Sequence, residues 1–275
     1  MISIPVAVAT PHFKWQISLF EYQHFKVYGE EAVNKAIIPI VKRNFKNQEK
    51  IENVDWGIKL PYRMVESVLD LYNLDEEIYI PSNCYAAIKQ IIHEINDEEC
   101  IEILDADMPH IRPYSGYIPS DDEILADDRY ESWHMFISKE DGINRNIIQK
   151  YLKHNDNQYM NGGSNIICKA STMKKIIDEV IEVGLQIGLE HKGTKHSWWQ
   201  SMYAINVACH NNRIKMISRD GCYFPNINEI DLSKHHVVHY SCDPIFNKSQ
   251  FPLINIKDFP NNAFYNAVKS WIYEK

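Results

Sequence analysis

The chain has 275 residues, 45% of them hydrophobic and 24% charged, which is enough apolar material for a sizeable buried core. A net charge of −8 argues against a polycation built to grip nucleic acid, though not against a local basic groove. Its 6 cysteines include no Cys-x-x-Cys pair, so a zinc cluster or disulfide framework is not expected and a reducing compartment is.

Ile2 to Ala9 reads as a β-strand ending in Thr10-Pro11-His12. It lacks the basic and long apolar regions of a secretory signal. No run approaches the ~18 consecutive apolar residues of a membrane span, so the expected location is cytoplasmic, without membrane attachment. Lys14 to Tyr28 has helical spacing, with Trp15, Leu19 and Tyr22 on one face and Gly29 as its stop. Ala36 to Val41 reads as a second strand, which Pro39 should confine to an edge or a bulge. The basic cluster Lys42, Arg43, Lys46 and Lys50 is either a solvated surface or part of a binding face. Tyr62 to Tyr72 has some helical spacing, Ile78 to Pro81 looks extended, and Asn83 to Ile95 is an amphipathic helix with Ala86, Ala87, Ile91 and Ile95 turned inward.

That helix leads into Cys100-Ile-Glu-Ile-Leu-Asp-Ala-Asp107. Glu102 is the only charge in the apolar part of this run, which therefore reads as a strand buried on most of its surface. It ends in two aspartates, at the strand edge where open α/β sheets collect ligands. Residues i and i+2 share a face of an extended chain, so Asp105 and Asp107 can point at one target. Two hard oxygen ligands so placed suit Mg²⁺ or Mn²⁺ together with substrate phosphates. The competing reading is a solvated turn, where Asp-x-Asp is common.

Ser120 to Asp128 looks like an acidic loop facing water. Trp133 to Ile137 reads as a strand and Asn144 to His154 as a helix. A glycine turn, Tyr159 to Asn165, then feeds the strand Ile166 to Cys168. Ser171 to Leu185 is a helix capped by Ser171, with Met173, Ile176, Ile177, Val180 and Ile181 as its apolar stripe. His196 to Cys209 is a second long helix, containing Trp198 and Trp199; at least one of the two should be core. Ile214 to Ile217 and Val237 to Tyr240 read as strands, and Asn262 to Trp271 as a closing helix. His235 and His236 read as loop or surface. The strand–helix alternation predicts an α/β fold with a parallel core, in one domain over 1–275 with a C-terminal extension from about 241.

Several segments recur in a known order: Ala9-Thr10 with Lys14-Trp15-Gln16; Leu104-Asp105-Ala106-Asp107 with His110, Ile111 and Pro113; Asn165-Ile166-Ile167 with Lys169 and Ser171; Trp198 with Met202-Tyr203; His239-Tyr240 with Cys242-Asp243. Distributed over most of the chain, this set resembles the hydroxyproline O-arabinosyltransferases and peptidyl-serine galactosyltransferases. The resemblance implies a GT-A fold, a Rossmann-like mixed sheet flanked by helices, and a metal-dependent, UDP-sugar-dependent transferase that retains configuration. It also implies a late histidine, His239, as a metal ligand beside Asp105 and Asp107, with Mn²⁺ or Mg²⁺ as the cofactor. Three features depart from the family: the aspartates and histidine of the acidic motif are differently spaced, no membrane anchor is seen, and Ser201 stands where a family glutamate is expected. Without an anchor and with an Ile-, Asn- and Lys-heavy composition, the chain is also similar to phage enzymes that place arabinose on hydroxymethylated cytosine in DNA.

On that reading Thr10, His12, Lys14, Asp105, Gly162, Gly163 and Lys248 contact the donor. Trp198, Trp199 and Tyr114 face the acceptor, and Asp105, Asp107 and Gln200 serve catalysis. No nucleophile stands out among Asp141, Glu190 and Asp220, which favours a route assisted by the leaving phosphate. The acceptor is a hydroxyl on a macromolecule, either hydroxymethylated DNA or a hydroxyproline or serine peptide, and the enzyme is expected to be monomeric. A reading of another class is a non-catalytic protein that binds a nucleotide-sugar or nucleic acid.

Overall fold

The computed structural model describes residues 1–53, 55–74, 81–127, 143–154, 165–219, 222–223, 235–239 and 263–274. Among these, seven strands share one sheet in the order β3-β2-β1-β4-β6-β5-β7: β1 Ile2–Val8, β2 Ile38–Val41, β3 Tyr62–Val65, β4 Cys100–Asp105, β5 Glu123–Asp127, β6 Ile166–Lys169 and β7 Lys215–Arg219. All pairings are parallel except those of β6, which runs against both β4 and β5. A two-residue pair, β8 (Cys222–Tyr223) with β9 (Val237–Val238), stands apart.

Helices cover both faces, as a largely parallel sheet requires. α1 (Pro11–Tyr28) packs on one side, where Ile17 and Phe20 meet Ala7, Ile38, Ile40 and Leu104. α3 (Pro81–Ile91), α5 (Ala170–Glu190) and α7 (Gln200–Asn211) cover the other, where Ile4, Val8, Ile101 and Ile103 lie. The remaining helices are the short α2 (Val68–Leu71), α4 (Ile143–Gln149) and α6 (Lys195–Trp198), and α8 (Ala263–Glu274) near the end. Alternate residues of β4 thus face opposite layers. Glu102 lies on the α1 side with Leu104, and Asp105 follows Ile101 and Ile103 on the other.

Several expectations are corrected. Pro39 is in an interior strand, not at an edge. The Ser3 N–H donates to Lys35 O and the Ile37 N–H to Ser3 O, so by alternation Pro5 and Pro39 face one another across the β1–β2 gap. Neither can donate, and the ladder is broken between the Ser3–Ala36 bridge and the Ala7–Ile40 pair. Glu123 to Asp127 is not a water-facing loop: β5 lies between β6 and β7 with Ile124, Leu125 and Ala126 buried. Tyr62 to Tyr72 divides into β3 and α2, the latter begun by Ser67, whose hydroxyl accepts from the Asp70 N–H. The helix after β6 starts at Ala170 with Lys169 in the capping position, and Ser171 instead donates to Asp121. The expected single helix His196 to Cys209 is interrupted at Trp199.

The strand read at Trp133 to Ile137, Ile78 to Ile80 of the extended run, and 241–262 of the C-terminal extension lie outside the described residues. Among the described residues, no helix is long and apolar enough to cross a membrane.

Candidate active site

Asp105 is the last residue of β4, paired in register with Val6 of β1. The chain then turns, with the Met108 N–H donating to Asp105 O at 3.0 Å. Convergence of the two aspartates therefore comes from a turn, and not from the extended alternation expected. It leaves the Asp105 side chain 56% exposed and Asp107 buried.

The third group arrives from far along the chain. The Ile111 N–H donates to His236 O at 2.8 Å, the Val238 N–H donates to Pro109 O at 3.1 Å, and His110 bridges Val237 in antiparallel sense. This pairing sets His239 beside the aspartates, its Nε2 3.4 Å from Asp105 Oδ2 and 4.0 Å from Asp107 Oδ1. One ligand atom from each of the three lies within 4.8 Å of the others. Two carboxylates and an imidazole at that spacing fit one Mn²⁺- or Mg²⁺-sized ion, the imidazole favouring Mn²⁺.

Beneath this trio lies a buried polar cluster that the sequence reading did not assemble. Glu102 is fully buried. His110 Nε2–H donates to Glu102 Oε2 at 3.0 Å, while Asn165 Nδ2 (3.0 Å) and His236 Nε2 donate to Oε1. Arg219 adds a cation 3.9 Å from Oε1. Burial opposes the charge on Glu102, but His236 and His110 outweigh it and hold the carboxyl well below its ordinary range. Burial pulls the imidazole of His236 down, against the field of Glu102. His24 of α1 comes within 3.4 Å of His110, and burial lowers it to about 3. His235 and His236, expected at the surface, are both buried. The signal for the cluster was Glu102 itself, because a lone carboxylate inside an apolar strand requires several donors.

Thr10 precedes α1 at the carboxyl end of β1, on the same sheet edge as Asp105. His12 and Lys14 occupy the first turn of α1 and are exposed; Gln16 bonds His12, and Lys14 reaches Asp55 O. Tyr114 is half-buried, its ring edge-to-face with His236 and 5.4 Å from the Arg219 guanidinium. Trp198 is 55% exposed, whereas Trp199 packs partly on the core. Gln200 has no exposed surface and bonds Ser82 at the start of α3. Asp105 is near that end of α3: burial pushes the Cys84 thiol up and the charge of Asp105 adds to it. Of the nucleophile candidates, Glu190 pairs with Lys150 on the surface, and Asp141 and Asp220 lie outside the described residues. So do Gly162, Gly163 and Lys248.

Three residues of the basic cluster, and Lys215 on β7, lie against carboxylates. Lys42 meets Glu52 and Glu66, Arg43 meets Asp70, Lys50 meets Glu66 and Asp70, and Lys215 approaches Glu123.

No family profile matches the chain, and no curated protein matches it in sequence. Solved structures do match. The chain is similar to the galactosyltransferase LgtC in complex with donor and acceptor sugar analogues, at 13% identity and TM-score 0.53 over 88% of each chain. An active-site mutant of LgtC gives 11% identity and TM-score 0.50 over the same shares. The bifunctional glycosyltransferase WbbM in its apo form gives 11% identity and TM-score 0.56, with all of this chain spanning half of that one. Identities this low speak for the fold alone. That fold is the GT-A type, as the resemblance implied.

Proposed function

We propose that this chain is a metal-dependent glycosyltransferase that moves a sugar from a UDP-sugar to a hydroxyl group. The observation that carries the reading is the meeting of Asp105, Asp107 and His239 at the carboxyl edge of a GT-A sheet. These three residues would hold a divalent cation, which would supply positive charge against the donor diphosphate. Thr10, His12, Lys14, Gly162, Gly163 and Lys248 are assigned to the donor; Trp198, Trp199 and Tyr114 are assigned to the acceptor. Gln200 supports the catalytic edge from within, through Ser82.

The transfer proceeds with retention. The acceptor oxygen bonds to the anomeric carbon on the face from which the diphosphate departs. The bond from carbon to phosphate oxygen breaks, its electron pair stays on that oxygen, and the hydroxyl proton passes to the leaving phosphate. The reading extends to a pentose donor, to 5-hydroxymethylcytosine in DNA as the first acceptor to try, and to one domain acting as a monomer in the cytoplasm. Pairing of Lys42, Arg43 and Lys215 with carboxylates leaves a DNA acceptor to be held by stacking on aromatic rings more than by phosphate contacts. Hydroxyproline and serine peptides are the alternative acceptors.

The test is thermal unfolding against a panel of nucleotide sugars, with and without Mn²⁺, on the wild type and Asp107→Ala. Ligand at about 100 times its Kd stabilises by about 2.7 kcal/mol. A UDP-sugar should raise the melting temperature only with Mn²⁺, and Asp107→Ala should abolish the shift. A shift that persists unchanged in the variant rules out the metal role. No shift with any nucleotide sugar favours a protein that does not use such donors.

A further inference from the structure

Glu102 is a costly residue for an interior strand, since taking a carboxylate out of water costs several kcal/mol unless its oxygens are satisfied. Here they are satisfied by residues that bracket the cation trio. His110 follows Asp107 by three positions, and His236 precedes His239 by three. Glu102 itself precedes Asp105 by three on β4. One carboxylate therefore bonds the segment leaving the aspartates through Oε2, and the segment approaching His239 through Oε1. The same two segments are joined by the His110–Val237 bridge, the bonds from Ile111 to His236 and from Val238 to Pro109, and the bond from Arg112 Nε to His235 O at 2.6 Å.

The backbone bonds alone do not fix which residues meet. An antiparallel pair that slips by two residues keeps every side chain on its own face. At about 3.3 Å per residue, such a slip would displace the His239 segment by roughly 6.6 Å along the strand, taking its imidazole out of the place it shares with the aspartates. An apolar filling between sheet and α1 would tolerate the slip. A carboxylate that needs one imidazole from each segment does not, and register control is the best-attested use of buried polar groups.

We infer that Glu102, through His110 and His236, is the positioning residue of the cation site, fixing the register in which the His239 segment docks on the strand of the aspartates. The inference rests on the proposed cation role of Asp105, Asp107 and His239. It assigns Glu102 no contact with substrate or metal; its effect on the site passes entirely through His239.

The experiment measures binding of Mn²⁺ alone, by loss of the free-ion electron paramagnetic resonance signal, on the full chain. The variants are Glu102→Gln, His236→Gln, His239→Ala, Asp107→Ala and the double variant Glu102→Gln/His239→Ala. Removing a group bonded directly to a ligand weakens metal affinity by about 10- to 100-fold. Glu102 acts one residue further out, through His236, so Glu102→Gln should weaken it about tenfold, the low end, while circular dichroism stays unchanged. The double variant should bind no more weakly than His239→Ala, because the group through which Glu102 acts is gone. Wild-type affinity in folded Glu102→Gln, or additive losses in the double variant, overturns the inference. If Glu102→Gln does not fold, His236→Gln decides. About a tenfold loss in a folded protein supports the inference; wild-type affinity, or failure of this variant to fold as well, overturns it. Additivity while Asp107→Ala loses Mn²⁺ overturns the inference alone, whereas Asp107→Ala binding like wild type removes the proposed metal role and the inference with it.

Discussion

Two glycines one turn apart on α5 should respond in opposite directions to the same substitution. Gly184 and Gly188 both lie inside Ala170–Glu190, on the face packed against α7. A methyl group at 184 would lie 3.5 Å from the Ala204 Cβ, an ordinary contact. Gly184→Ala should therefore keep most of the helix-propensity gain of about 1 kcal/mol. A methyl group at 188 would fall 1.8 Å from Gln200 Oε1 and 2.9 Å from its carboxamide carbon. A side-chain end at the surface would swing away cheaply, but Gln200 is fully buried and donates to Ser82. Overpacking costs about 1–3 kcal/mol, and a lost buried hydrogen bond adds about 1–3 kcal/mol. Gly188→Ala should thus be destabilised by about 1–5 kcal/mol net. Urea unfolding of both variants at neutral pH measures the difference. If Gly188→Ala is as stable as Gly184→Ala, Gln200 is not held as described.

Acid should weaken the fold through His24, whose pKa falls from 6.5 to about 3 on burial. The unfolded chain then binds the extra proton below pH 6.5 and the folded chain does not, so stability is lost as pH falls through that window. The loss should be about 2 kcal/mol by pH 5, and His24→Asn should flatten most of that slope; an unchanged slope refutes the assignment. Trp198→Ala should leave stability within about 0.5 kcal/mol while raising the acceptor KM, because the ring is mostly exposed. Trp199→Ala, which removes a ring packed on the core, should lower the unfolding midpoint measurably. Arg43→Ala should lower the thermal midpoint by breaking the pairing with Asp70, and leave any DNA-acceptor KM unchanged; a steep rise in that KM would reveal a phosphate contact.

What could be read from the residues was what repeats locally. The stripe Met173, Ile176, Ile177, Val180 and Ile181 predicted a helix face that is indeed buried. The run Cys100 to Leu104 predicted a strand ending at an aspartate, which β4 does. Periods of 2 and 3.6 are written along a chain because each side chain's layer depends on its near neighbours. Local patterns also misled. The acidic look of Ser120 to Asp128 concealed Ile124, Leu125 and Ala126, whose burial depends on β6 and β7 on either side. Pro39 looked like an edge residue because nothing nearby revealed Pro5 across the gap.

The sequence by itself determined the strongly periodic elements, such as β4 and the helix Ala170–Glu190, and the faces they bury, since these follow from short-range backbone sterics and burial of apolar faces. Only the tertiary structure decided that β6 runs against its neighbours and that His236 and His110 converge on Glu102. The family resemblance had implied His239 as a partner of the aspartates, but the tertiary structure supplied the pairing that sets it, more than a hundred residues downstream, at 3.4 Å from Asp105. Those outcomes depend on which distant segments pair and in what register, a choice settled by competition among all the chain's contacts.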